Sequence, residues 1–212
     1  IEFRQAYVGP AMRKYGNMFR AVDCPNSIGD NRVRGIDVRL ICGDTAAHAD
    51  PITWHDDDPV ESAAMQLIHT LFCVPQISRK MTDLTDRHTQ MLRSYLSFWR
   101  THQEVLLSGD LRPLFPNMSY PLVIAEKDAK TVAAFYSRLP LVLDNQIPDE
   151  LILVNGTYSN DLLLDIKEDR GKFDLTATDC MGSVVHEERI TLHSGINVIP
   201  VSAAGHIQLK KI

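Results

Sequence analysis

Residues 17–25 read Asn17-Met18-Phe19-Arg20-Ala21-Val22-Asp23-Cys24-Pro25, and the order of side chains here decides the fold. Asn17 to Ala21 read as a short buried strand, which stops at an Asp and a proline-containing turn. In a barrel of parallel strands, an Asp directly after a buried strand stands at the C-terminal mouth, where catalytic side chains emerge. Arg20, three residues earlier, is placed to hold its charge or a substrate hydroxyl. The same Asp23 also fits the role of a loop-start cap for the next segment, and both readings stand at this point.

Working outward, residues 27–35 are polar and enter a short helix, and Val38-Arg39-Leu40-Ile41-Cys42 reads as a second short strand. The segment after it contains His48, Asp50 and Trp54, a hydrogen-bonding pair and an aromatic platform of the kind sugar sites use. A metal reading of His48 and Asp50 with His55 lacks a strong third-ligand motif. A plain structural loop, with Asp50 capping a turn, is the other alternative.

Asp58-Pro59-Val60-Glu61 marks a helix start: Asp58 as cap, Pro59 in the first turn, Glu61 completing a capping box. Val60, Ala63, Ala64, Leu67, Ile68, Leu71 and Phe72 follow at helical spacing. Residues 72–78 hold strand formers and Pro75, so the helix gives way to a strand or loop. A long helix over residues 84–108 carries Leu84, His88, Met91, Leu92, Tyr95, Leu96 and Trp99 on one stripe and stops at Gly109. This strand–helix alternation predicts βα units on a parallel sheet.

The pattern changes near residues 110–120. Candidate strands follow at 122–125, 133–137, 139–143, 150–154, 162–166, 173–178, 184–192, 196–201 and 206–209. Asn155-Gly156, Arg170-Gly171, Met181-Gly182 and Ser194-Gly195 sit at the bends. Short strands with such regular turns predict an antiparallel β-sandwich. The expected fold class is therefore α/β plus all-β: an α/β part over residues 1–115 and a β-sandwich over 116–212.

Composition narrows the function classes. A net charge of −5 leaves no basic footprint for nucleic acid. No apolar run reaches the roughly 18 residues that span a bilayer, and no basic amphipathic stretch points to a membrane surface. The compartment stays open. The chain opens on Ile1, inside what already reads as structure, which points to a truncated, processed or cleaved product.

Cys24, Cys42, Cys73 and Cys180 are too widely spaced for a disulfide framework or a zinc ribbon, and read as buried free thiols. Asn117-Met118-Ser119 and Asn155-Gly156-Thr157 fit the short glycosylation pattern. Asp56-Asp57-Asp58 lacks the alternation and glycine of a calcium loop. His69, His88 and His102 fall on helices at packing positions. Serine-elbow, P-loop, dinucleotide and zincin motifs do not occur, and no cofactor is expected.

Taken together, these segments resemble the melibiase-type α-galactosidases of glycoside hydrolase clan D, the family thirty-six branch. The resemblance is carried by Ile1-Glu2-Phe3-Arg4, residues 19–25, Asn31-Arg32, Asp37-Val38-Arg39, Ala47-His48-Ala49-Asp50 with Trp54, residues 72–78 and Tyr95-Leu96-Ser97-Phe98-Trp99. It implies the C-terminal half of a catalytic (β/α)8 TIM barrel followed by a sandwich, and a retaining mechanism on terminal α-galactosides. By position it implies Asp23 as the acid/base, after the sixth strand, with Arg20, His48, Asp50 and Trp54 along the site wall. The family's nucleophile, in a Lys-x-Asp motif on an earlier strand, is absent. The usual Cys- and Gly-rich segment after the fifth strand is replaced by Arg4-Gln5-Ala6-Tyr7-Val8-Gly9-Pro10.

An acid must hold its proton when the substrate arrives, and a guanidinium beside it opposes that. Arg20 is therefore expected to face the nucleophile or a sugar hydroxyl rather than Asp23. The implied partners are an α-galactoside or related oligosaccharide and the missing N-terminal half, with neither nucleic acid nor membrane; a homo-oligomer is left open. Two readings from other classes remain: a non-catalytic carbohydrate-binding or accessory module centred on the sandwich, and a small α+β interaction domain.

Overall fold

The structure, a computed structural model, describes residues 1–4, 7–20, 23, 27–49, 51–143, 148–169 and 171–212. Three short strands open the chain: β1 (Glu2–Arg4), β2 (Met18–Arg20) and β3 (Ala46–His48). They are parallel, in the order β1-β2-β3, with Phe3, Phe19 and Ala47 in one row and Arg4, Arg20 and His48 in the next. Beyond β3 the parallel pattern continues through isolated bridges, His48 to Val74 and Ile52 to Ile77.

Helix α1 (Ile28–Ile41) lies between β2 and β3, and the Ser27 hydroxyl accepts from the Asp30 N–H at its start. The strand expected at residues 38–42 does not form, because α1 runs to Ile41. Its buried side chains, Asn31, Gly35, Ile36 and Val38, follow helical spacing, and Leu40 and Ile41 are turned outward at 50% and 41% exposure. A short apolar run has no periodicity of its own that separates strand from helix. Helix α2 (Val60–Ile68) begins after Pro59 with no side-chain cap. The expected capping box is absent because Asp58 instead accepts from the His55 N–H at 2.7 Å, closing the preceding turn.

Helix α3 (Asp86–Ser108) is capped by the Thr85 hydroxyl and ends at Gly109. Its buried stripe of His88, Met91, Leu92, Tyr95, Trp99, His102, Val105 and Leu106 matches the expected face. The Trp99 indole N–H reaches the carbonyls of both Leu71 and Cys73 at 3.2 Å, fixing the turn that leads to Val74.

The rest is strand: β4 (Asp110–Leu114), β5 (Leu122–Lys127), β6 (Lys130–Phe135), β7 (Leu141–Leu143), β8 (Glu150–Asn155), β9 (Asp161–Ile166), β10 (Lys172–Thr178), β11 (Val184–Thr191), β12 (Gly195–Pro200) and β13 (His206–Lys211). A seven-stranded sheet has the order β11-β10-β13-β8-β6-β5-β4, and a three-stranded sheet the order β12-β9-β7. The expectation of a purely antiparallel arrangement needs correction: β6–β8 and β7–β9 are parallel pairs. The chain leaves the large sheet after β6 to form β7 in the small one, then returns, and such a crossover makes parallel neighbours.

Alternation along β5, β6 and β8 places the large sheet between two apolar layers. Val123, Ala125, Val132, Ala134, Ile152 and Val154 join the cluster built by the helices and Phe19. Leu122, Ile124, Ala133, Phe135, Leu151 and Leu153 meet Leu162, Leu164, Ile166 and Ile199 of the small sheet. The whole is a mixed α/β structure with large β-sheets and few helices.

Candidate functional site

In a parallel ladder, side chains in one register row share a face and alternate rows oppose it. Phe3, Phe19 and Ala47 therefore point one way, and the two phenyl rings stack with centroids 5.9 Å apart. Glu2, Arg4, Arg20 and His48 share the opposite face. Arg20 is 5% exposed, and a charge buried to that degree requires carboxylate partners.

It has them on both sides. Arg20 Nη1 lies 3.4 Å from Asp23 Oδ1 and Arg20 Nε 3.9 Å from Glu2 Oε2. The other Glu2 oxygen lies 3.4 Å from His48 Nδ1, and Arg4 Nη1 lies 3.7 Å from Asp23 Oδ2. The outcome is a charge-alternating chain, Arg4–Asp23–Arg20–Glu2–His48, in which Arg4, Arg20 and His48 are the last residues of their strands and Glu2 the first of β1. The Asp23 side chain is 53% exposed and Arg4 51%. The outer end of the chain can thus meet a polar ligand, offering a carboxylate as hydrogen-bond acceptor or proton carrier and a guanidinium as donor.

Of the residues singled out in the sequence, Asp23, Arg20 and His48 come together. The expectation that Arg20 turns away from Asp23 is corrected: the buried guanidinium takes the nearest carboxylate oxygens, and Asp23 supplies one. Trp54 is also corrected as a sugar platform. It is 3% exposed, packed in the core with its ring tilted against His88 at a centroid distance of 6.0 Å, and a platform needs an open face. Asp50 lies outside the described residues. Glu2, which links Arg20 to His48, is the member sequence reasoning missed. The available signal was its i, i+2 relation to Arg4, which puts both on one strand face.

Among the described residues no group of three His, Cys, Asp or Glu side chains is gathered as metal ligands. Cys42 and Cys73 are buried free thiols, with the Cys73 thiol pushed up to about 12, first by burial. Asn155 is fully buried, and its amide nitrogen already donates to the Ser159 and Ser202 carbonyls at 2.8 and 3.0 Å. Of the two glycosylation patterns only Asn117 is exposed. Among the described residues no helix is long and apolar enough to cross a membrane.

No protein-family model and no curated protein matches the chain. Among solved structures, it is similar to a glucosidase from Croceicoccus marinus, with 10% identity, a TM-score of 0.45, and coverage of 100% of this chain and 59% of that one. It is also similar to CelM2, a bifunctional glucanase-xylanase from a metagenome library, with 7% identity, a TM-score of 0.37, and coverage of 84% and 33%. The chain thus spans about three-fifths and one-third of their lengths.

Proposed function

We propose that the chain is the C-terminal part of a retaining α-galactosidase-type glycoside hydrolase acting on terminal α-galactosides, with Asp23 as its acid/base. The observation that carries this reading is the half-exposed Asp23 carboxylate, which follows β2 in a set of parallel strands. The C-terminal end of a βα ladder is where such enzymes place catalytic side chains. Strands β1 to β3 in sequence order, with bridges onward to Val74 and Ile77, support successive βα units of an incomplete barrel. In this reading residues 1–115 are the half-barrel and 116–212 a terminal β-domain.

The mechanism follows from the geometry of retaining hydrolases. A nucleophilic carboxylate on the absent half attacks the anomeric carbon, about 5–5.5 Å from the acid/base carboxyl. Asp23 gives its proton to the leaving oxygen, then takes one from the water that resolves the glycosyl-enzyme. Arg4 and His48 hold sugar hydroxyls, and Glu2 keeps Arg20 and His48 in place. In this chain Asp23 is an ion-paired carboxylate. The reaction needs the nucleophile as well as Asp23, so in this reading the chain alone does not turn over.

The accessory-module reading has less support. After Tyr136 the only aromatics are Tyr158 and Phe173; Phe173 is fully buried, which leaves the exposed Tyr158 as a single ring where a sugar platform uses several.

The test uses an aryl α-galactoside. Expected are no turnover by the 212-residue chain and hydrolysis by a polypeptide in which an upstream half with a Lys-x-Asp strand precedes it. Asp23→Asn in that polypeptide is expected to lower kcat about 10²–10⁴-fold. Full activity in the Asp23→Asn variant removes the assigned role, and turnover by the lone chain removes the half-site reading.

A further inference from the structure

We propose that Arg32, His69 and Tyr136 form an acid-released clasp that ties helix α1 to the large β-sheet. The inference stands on contacts independent of the sugar-hydrolase reading.

Arg32 projects from the second turn of α1 and makes three contacts outside its own helix. Its Nε donates to the Ser119 carbonyl at 3.1 Å, its Nη1 lies 3.1 Å from His69 Nδ1, and its guanidinium lies over the Tyr136 ring at 4.6 Å. His69, 7% exposed, completes the link: its Nε2 lies 3.2 Å from the Gly156 carbonyl, and its ring is tilted against Tyr136 at 4.7 Å. The Tyr136 hydroxyl donates to the Ile68 carbonyl at 3.0 Å.

These partners fix the protonation state of the imidazole. An arginine has only donors, so Nδ1 must accept; a carbonyl has only lone pairs, so Nε2 must carry the hydrogen. The clasp therefore exists only with His69 neutral. A second proton on Nδ1 removes the acceptor and sets two cations side by side in a buried pocket.

No carboxylate or other anionic side chain is paired with the ring among the described residues. Facing it from α1 is Arg32 itself; from the end of β6 comes the Tyr136 phenol, with Tyr95 of α3 and Cys73 behind it, all three raised by burial and neutral. Burial and then Arg32 hold the imidazole down at about 4, and the Gly156 and Ile28 backbone contacts act weakly the other way.

The segment between β4 and β5 adds stored strain. Phe115, Ser119 and Tyr120 have φ of 55°, 61° and 53°, a left-handed conformation that costs non-glycine residues energy. Arg32 holds this segment through Ser119, and Asp37, one turn further along α1, accepts from the Tyr120 hydroxyl at 2.8 Å. Releasing Arg32 removes one of the two restraints.

Hydrogen exchange by mass spectrometry on the 212-residue chain tests this, with protection factors corrected for the intrinsic pH dependence. Between pH 6.5 and pH 4 protection over α1 and residues 115–120 is expected to fall about 10²-fold, the limit set by a group titrating near 4 when closed and near 6.5 when open. His102 and His206 are also lowered to about 4, by burial first, and add their own sensitivity near Phe98. His69→Gln isolates the clasp, because the amide oxygen can accept from Arg32 and the amide nitrogen donate to Gly156 without titrating. Its α1 protection is expected to stay level across the range.

An equal fall in His69→Gln overturns the proposal. Should that variant fail to fold, the native chain alone decides: a fall in strand β9 equal to that in α1 marks general loosening and overturns it as well.

Discussion

Trp99→Phe is the perturbation whose cost can be worked most directly from the contacts. The indole N–H is shared between the Leu71 and Cys73 carbonyls, each at 3.2 Å, and the side chain is 8% exposed. Phenylalanine keeps most of the packing but removes roughly 50 Å² of buried surface, about 1–1.5 kcal/mol at ~25 cal/mol per Å². Two buried carbonyls lose their common donor, which adds about 1–3 kcal/mol. The sum, about 2–4 kcal/mol, is large beside the ~5–15 kcal/mol of an ordinary domain.

With a urea m-value of about 2 kcal/mol per molar, the unfolding midpoint falls by roughly 1–2 M. The chain holds two tryptophans, so the variant leaves Trp54 as the sole indole emitter, and it is 3% exposed and well placed to report unfolding. A midpoint within about 0.3 M of the parent, at unchanged m-value, would show that the turn before Val74 does not depend on Trp99.

Two further substitutions probe the junction of the layers. A Cβ on Gly156 would stand 2.6 Å from Tyr136 Cδ1 and 2.8 Å from the Phe135 carbonyl oxygen, so Gly156→Ala is expected to cost about 1–3 kcal/mol by urea unfolding, and parent-like stability would refute the close approach. Asn155→Ala deletes an amide that donates to Ser159 and Ser202 and accepts from the Thr157 N–H and hydroxyl at 3.0 and 2.7 Å. A loss of about 2–4 kcal/mol is expected, and a change under about 1 kcal/mol would show that these turns close without it.

The parts of the fold that were legible in sequence carry strong local signals. From β8 to β13 each turn holds or adjoins a glycine, and α3 has both a long stripe and a stopping glycine. The failures have physical causes. Val38 to Cys42 is apolar enough for a strand, yet the helix started at Ser27 carries through it. β4 has no strand pattern in sequence because it carries Pro113, which an edge strand tolerates on its unpaired side.

The parallel pairs β6–β8 and β7–β9 depend on which sheet each strand joins, and no local pattern encodes that. At the candidate site, Asp23 and His48 were visible as polar residues beside strand ends. Glu2 was not, because its role exists only once β1 lies beside β2. Trp54 misled because an aromatic in a polar loop looks the same in sequence whether it faces water or the core.

The double-sided burial of the large sheet also limits how this polypeptide can be divided. Trimming everything before β4 would strip the cover from Val123, Ala125, Val132, Ala134, Ile152 and Val154 and leave a broad oily wall facing water. The β-rich portion is thus no detachable tail. Its inner face and the helices that cover it form one body, and neither part keeps its apolar surface dry without the other.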